Sequence, residues 1–330
     1  MPTGSEIVRY TADKADEWND FVARSKNGTF LFDRRYMDYH SDRFQDHSLM
    51  VYEKGRLYAL LPANQRDDTF YTHQGLTYGG LIMNDRCRAA TVCELFVMMN
   101  DYLRAAGFRH VVYKHVPWIY ATQPAEEALF AIHNVCHATL RSRDVASVVD
   151  LCPPARGGLS EGLSAGSRIP FTTLRRRGVK RALAAGLRVG ESNDFAGFWA
   201  LLGDNLQHRF QARPVHSLAE ITLLHSRFPD RLRLFTVSNA IRMLGGTVIY
   251  VCGHTVKTQY ISANEEGKQT GALDLLFDRL LQHYAEAGMR YFDFGTSNLT
   301  HNDDLNVPLI FQKEGFGARA VCYDTYEWGL

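Results

Sequence analysis

Apolar positions along the chain fall into short runs separated by polar turns, then into longer stretches with helical spacing. Ser48 to Tyr52, Leu57 to Ala63 and Thr69 to His73 read as strands, Val92 to Ala106 as an amphipathic helix, and His110 to Lys114 as a returning strand. The same order recurs later as strands Arg233 to Val237, Met243 to Val251 and Thr258 to Ala263, helix Ala272 to Ala287 and strand Tyr291 to Phe294. In the second helix Leu273, Leu276, Phe277 and Leu280 follow the i, i+3, i+4, i+7 spacing that buries one face on a sheet. Landmarks align the two copies: Phe44-Gln45-Asp46 with Phe228-Pro229-Asp230, and Ala106-Gly107-Phe108-Arg109 with Ala287-Gly288-Met289-Arg290. Gly107 and Gly288 fall where helices end. The pattern predicts a duplicated α+β unit, each copy a mostly antiparallel, twisted mixed sheet flanked by helices. It is not the strand and helix alternation of a doubly wound fold. GxGxxG and Walker A sequences are absent, which argues against a nicotinamide enzyme or a P-loop kinase.

A length of 330 residues suits two domains. Pro and Gly cluster at Leu151-Cys152-Pro153-Pro154-Ala155-Arg156-Gly157-Gly158, after a strand at Ser147 to Leu151, so the expected division is 1–152 and 153–330. The formal charge is only +1, so nothing global calls for DNA or a membrane surface. No apolar stretch reaches the roughly 18 to 20 residues of a membrane span, and the first residues lack a secretory pattern, so the expected location is the cytoplasm. Six cysteines without a CxxC pair and thirteen histidines without HExxH predict reduced thiols and no metal site. Charge is concentrated once: Arg168, Arg175, Arg176, Arg177, Lys180, Arg181 and Arg188 form a basic segment. It reads either as a solvated helix face or as a phosphate clamp.

Five segments carry a family resemblance: Gln74-Gly75-Leu76-Thr77-Tyr78-Gly79-Gly80, Pro214-Val215-His216-Ser217-Leu218-Ala219-Glu220, Gln259-Tyr260-Ile261-Ser262-Ala263, Asp293-Phe294-Gly295-Thr296-Ser297-Asn298 and Lys313-Glu314-Gly315-Phe316-Gly317. Together they resemble the FemAB-like branch of the GNAT acyltransferase superfamily. The resemblance implies tandem GNAT-like domains, the second holding the donor site and the first lending its side to the acceptor, with the last strand, Ala320 to Tyr326, returning to the first. It implies acyl transfer to an amine by direct attack in a ternary complex. The expected donor is an acyl-CoA, and the acceptor is a small molecule such as an amino sugar or amino-acid-like amine. The alternatives are aminoacyl transfer from aminoacyl-tRNA, an acyl-carrier-protein donor, and a GNAT-shaped metabolite-binding protein without chemistry.

Candidate residues follow. Asp293, ending a strand before a Gly-Thr-Ser-Asn turn, reads either as a general base or as the cap of that turn. Tyr260 and His254 could contact the reacting amine. By resemblance Lys313, in a Lys-x-x-Phe-Gly context, stabilises developing negative charge. Gln259, Ile261, Ser297, Asn298 and Asn306 are expected on the donor side. So are Lys268, Gly271 and Ala272, in the segment where the superfamily's pyrophosphate loop belongs; Lys268 and Leu273 depart from its usual pattern. His216, Tyr78, Arg175 and Arg176 are expected on the acceptor side. Ser217 and Glu220 have capping-box spacing.

Overall fold

In the computed structural model residues 4–152, 169–299 and 304–330 are described. Pro153 to Gly158 of the expected boundary, and Arg168 of the basic segment, lie outside them. The chain divides into two compact units, Met1–Asp144 with Cys322–Leu330, and Val145–Val321.

The first unit contains β1 (Ser5–Arg9), α1 (Ala15–Arg24), α2 (Arg34–Met37), β2 (Gln45–Asp46), β3 (Leu49–Glu53), β4 (Arg56–Leu61), β5 (Asn64–Arg66), β6 (Thr69–Tyr71), β7 (Ile82–Met83), α3 (Ala89–Ala105), β8 (His110–Lys114) and α4 (Glu127–Asn134). β9 (Thr139–Asp150) begins in it, and most of β15 (Arg319–Gly329) belongs to it. One sheet has the order β1-β3-β4-β7; a second run of strands has the order β15-β8-β6-β5-β2, with β8 and β6 parallel. Val92, Leu95, Phe96, Met99 and Leu103 of α3 form the buried stripe that its sequence period requires.

The second unit contains α5 (Thr173–Ala184), β10 (Arg188–Ser192), α6 (Phe195–Phe210), α7 (Leu218–Arg227), β11 (Leu232–Ser238), β12 (Met243–Cys252), β13 (Thr255–Ala263), α8 (Glu265–Thr270), α9 (Ala272–Glu286), β14 (Tyr291–Thr296) and α10 (Val307–Glu314). Its sheet has the order β10-β11-β12-β13-β14-β9, and β13 with β14 is the parallel pair. Phe235, Val237, Ile249 and Val251 share a core with Leu276, Phe277 and Leu280 of α9. Their alternate neighbours Leu234 and Val248 are buried as well, so both faces of the sheet are covered. Each such side chain taken out of water contributes about 1.5–3 kcal/mol before entropy is charged against it.

The duplicated order read from the sequence is present, and the fold is α+β, two mixed-sheet units flanked by helices. Two elements differ from expectation. β9 runs back to Thr139, because its charged half, Leu140 to Asp144, is held by cross-strand ion pairs such as Arg143 to Asp324 at 2.7 Å. The segment expected as a loop after β13 is instead helix α8, started by Asn264, whose side chain accepts from Gly267 N at 2.8 Å.

Candidate functional site

β13 and β14 pair over only three positions, Thr255 with Tyr291, Val256 with Phe292, and Lys257 with Asp293. Beyond that point β13 stays with β12 to Ala263, while β14 keeps only its other neighbour, β9, which it pairs from Tyr291 with Asp150 through to Thr296 with Ala146. The two parallel strands therefore fork, and Lys257 and Asp293 stand at the crotch. On the open limb of β13 the register with β12 slips: Tyr260 faces Val248 and Thr258 faces Ile249, so Gln259 is an extra residue in a β-bulge. A bulge takes a backbone group out of the ladder and re-aims its neighbours.

The crotch is charged and buried. Asp293 is 0% exposed; its Oδ2 accepts from Lys257 Nζ at 3.2 Å and its Oδ1 from Gly295 N at 2.7 Å. Lys313 reaches in from α10, and its Nζ donates to Gly295 O at 2.9 Å, Thr296 O at 2.8 Å and Ser297 Oγ at 2.9 Å. Burial pulls the Lys313 ammonium down to about 8; nearby Asp293 opposes that shift and Lys257 adds to it. α10 is aimed by Asn306, which caps it by accepting from Leu309 N at 3.2 Å while its own N donates to Ser297 O at 2.8 Å. Asn298 Oδ1 accepts from Val145 N at 2.8 Å.

Further along β13, Tyr260 OH lies 2.6 Å from His216 Nδ1 and accepts from His216 N at 3.1 Å. Burial pushes the phenol up to about 12. Trp199 of α6 braces the pair by donating from Nε1 to His216 O at 3.0 Å. The capping box read from the sequence forms beside it: Ser217 N donates to Glu220 at 2.7 Å and Glu220 N to Ser217 at 3.2 Å.

Several expected site residues lie elsewhere. His254 occupies the turn before β13, on the closed side of the fork, where its carbonyl accepts from Arg290 N at 2.8 Å. Tyr78 belongs to the first unit and is buried between Phe32, Tyr120 and Tyr323, its hydroxyl donating to Thr29 at 3.1 Å. It has no surface to offer an acceptor. Lys268 is exposed on α8 and bonds Asn205 at 3.3 Å.

The start of α9 is closed rather than open to a phosphate. Arg175 of α5 pairs with Asp274 in the first turn at 2.6 Å, and Ala272 is fully buried. A Cβ on Gly271, whose φ is +80°, would stand 2.6 Å from Gly178 O, and one on Gly178 would stand 1.7 Å from Asp274 Oδ2. Helix α5 thus lies directly on the turn where a diphosphate would sit. Gly271, Ala272 and Arg175 are packing residues here, and Arg176 is exposed on the outer side of α5.

Lys257 escaped the sequence reading, although a lone charged residue inside β13 was its signal. Lys114 was missed too. Just past the parallel β6–β8 pair, its Nζ donates to Leu76 O at 2.7 Å, His73 O at 3.3 Å and Gln74 O at 3.4 Å, filling the first unit's fork with its own loop. Among the described residues no cluster is suited to hold a metal ion, and no helix is long and apolar enough to cross a membrane.

Residues 173–303 match the acetyltransferase (GNAT) domain family. The forked parallel pair, the bulge and this match define a GNAT-type acyltransferase fold. The motifs of the chain resemble the FemAB-like branch of that superfamily, and a FemX structure shares the fold. A crystal structure of FemX is 12% identical, with 98% of this chain and 97% of that one covered and a TM-score of 0.67. The C-terminal domain of a putative lysylphosphatidylglycerol synthetase from Agrobacterium fabrum is 13% identical, with 96% and 91% covered and a TM-score of 0.58. A tandem GNAT protein from the clavulanic acid biosynthesis pathway is 13% identical, with 98% of both chains covered and a TM-score of 0.53. A search of curated protein sequences finds no match.

Proposed function

We propose that the protein transfers an acyl group to an amine at the β13–β14 fork, and that its donor is carried on a macromolecule, an aminoacyl-tRNA or an acyl-carrier protein. The observation that carries the donor choice is the closed start of α9. With Arg175 paired to Asp274 and the backbones of Gly178 and Gly271 in close approach, the usual grip on the CoA diphosphate has no room.

In this reading the acyl carbonyl lies along the open limb of β13, its oxygen toward the backbone N–H at the Gln259 bulge. Lys313 supplies positive charge to the tetrahedral intermediate from a site with little water, where such a charge is worth most. Both oxygens of Asp293 are engaged, so Asp293 holds the crotch rather than taking a proton. The half-buried Tyr260 receives the amine's proton as its own hydroxyl proton passes to His216 Nδ1, a contact already 2.6 Å long. As the tetrahedral intermediate collapses, its bond to the carrier breaks and the departing ribose hydroxyl or carrier thiol takes that proton back along the same path. No covalent enzyme intermediate is needed, and buried Cys252 takes no part.

Calorimetric titration with acetyl-CoA, mixed aminoacyl-tRNA and acyl-loaded carrier protein tests the donor. Saturable binding of one of the last two without acetyl-CoA binding is expected; tight one-site binding of acetyl-CoA would overturn it.

A further inference from the structure

Phe198 and Leu202 bury one face of α6, and a second face of the same helix opens on a cleft. Leu201, Asp204, Asn205 and His208 follow the i, i+3, i+4, i+7 spacing of that face, and with Glu265 and Lys268 of α8 they line a space of about 780 Å³. Such a volume lies within the roughly 300–1,000 Å³ of small-molecule sites. Most such sites are apolar, whereas this one is polar: of the described side chains that line it, only Leu201 and Met243 are apolar.

The cleft adjoins the open limb of β13. Asn205 Nδ2 donates to Ser262 Oγ at 3.2 Å, and Ser262 follows Tyr260 by two residues, on the same face of the strand and about 7 Å along it. Charges of both signs line the space. Arg242 is spent on Glu266, at 2.5 Å. Lys268 Nζ has only long contacts, to Asn205 Oδ1 at 3.3 Å and Glu265 Oε2 at 3.5 Å. Asp204 is exposed and has no hydrogen-bond or ion-pair partner among the described residues. One cation and one carboxylate are thus left for a ligand.

We propose that this cleft is the acceptor's subsite, and that the acceptor is a dipolar amine, one carrying a carboxylate or a phosphate besides its amino group. The inference rests on acyl transfer at the fork and names the substrate class for that same site. Lys268 holds the anionic end through a charge-assisted hydrogen bond. Asp204 draws the amino group in its ammonium form. With the far end anchored at Lys268, the amine releases its extra proton to water and advances along β13 to Tyr260. A plain amine leaves Lys268 unmatched and a plain anion leaves Asp204 unmatched, whereas a molecule with both charges satisfies the two together. Lys268 thereby serves the acceptor and not a donor diphosphate, in keeping with the closed start of α9.

The test is a magnetic-resonance titration of the full-length protein, without donor, using ε-aminocaproate against hexylamine and caproate, and phosphoethanolamine against ethanolamine. The first set reads a carboxylate and the second a phosphate. At least one dipolar probe is expected to bind about tenfold more tightly than its singly charged counterparts, as one charge-assisted hydrogen bond would give. Lys268→Met should erase that preference and Lys268→Arg should keep it, while Asp204→Asn should bring ε-aminocaproate down toward caproate. Circular dichroism confirms that the variants fold. Equal binding within both sets overturns the proposal, as does binding of no probe or a preference that survives Lys268→Met. Because no donor is present, the two readings fail separately: a protein that binds ε-aminocaproate through Lys268 but acylates nothing loses the transfer reading alone, and one that acylates hexylamine as readily as ε-aminocaproate loses this inference alone.

Discussion

Lys257 Nζ stands 3.2 Å from Asp293 Oδ2 at the last paired position of the two parallel strands, and both side chains are buried. The ion pair therefore sits where the sheet opens. It ties the limbs together at the crotch, while the second oxygen of Asp293 fixes the Gly295 turn that Lys313 grips from the other side.

Removing one partner of such a pair is costlier than replacing both. Asp293→Ala should lower stability by about 3–5 kcal/mol, because it takes the carboxylate away from a buried ammonium and from a turn N–H. Lys257→Met combined with Asp293→Leu should cost less than the sum of the single changes. Urea unfolding of the four proteins measures the coupling; additivity would contradict the role of the pair.

The Lys313 ammonium is pulled from 10.5 down to about 8 by burial. Below pH 8 it is charged in folded and unfolded chains alike, and the cost of burying the cation is fully present. Between pH 8 and 10.5 the folded chain gives up the proton first, so the unfolded chain binds more protons and stability rises with pH. The rise attributable to Lys313 is on the order of 3 kcal/mol. Comparing wild type with Lys313→Met isolates it, since Lys114, also lowered to about 8, is common to both. Parallel stability curves would show that Lys313 does not titrate there.

Two helical glycines should respond oppositely to alanine. At Gly178 the new Cβ would overlap Asp274 Oδ2, so Gly178→Ala should cost about 1–3 kcal/mol and loosen the cover over α9. At Gly203 of α6 a Cβ meets nothing within 4 Å, so Gly203→Ala should gain about 0.4–1 kcal/mol. Thermal melts of the two variants decide this, and a stable Gly178→Ala would mean that α5 is not seated on the Gly271 turn.

The elements and their order were legible because burial imposes a period. The apolar stripe of α9 and the nearly unbroken apolar run of β12 have no other reading once one is a helix and the other a central strand. The Ser217 capping box and the Asn306 cap were legible because they are local. The site was legible only in part. Asp293, Lys313, Gln259 and Tyr260 fall around the fork, but Lys257 declares itself only when the parallel register sets it opposite Asp293. His254 was misread because position on a strand does not tell which end of it opens. Gly271 looked like a phosphate loop because nothing local reveals that α5, almost 90 residues earlier, rests on it. Pairings distant in sequence are set by tertiary packing.

The most direct measurement is single-turnover acyl transfer to a mixture of primary amines, read by mass spectrometry, with aminoacyl-tRNA and acyl-loaded carrier protein as donors. Wild type should form the N-acyl product with one of them. Lys313→Met should be slower by about 10²–10³ while donor binding stays intact, the loss expected when charge stabilisation of a tetrahedral intermediate is removed. Transfer at the wild-type rate by Lys313→Met would contradict the fork as the reacting centre, and so would transfer by wild type from acetyl-CoA alone.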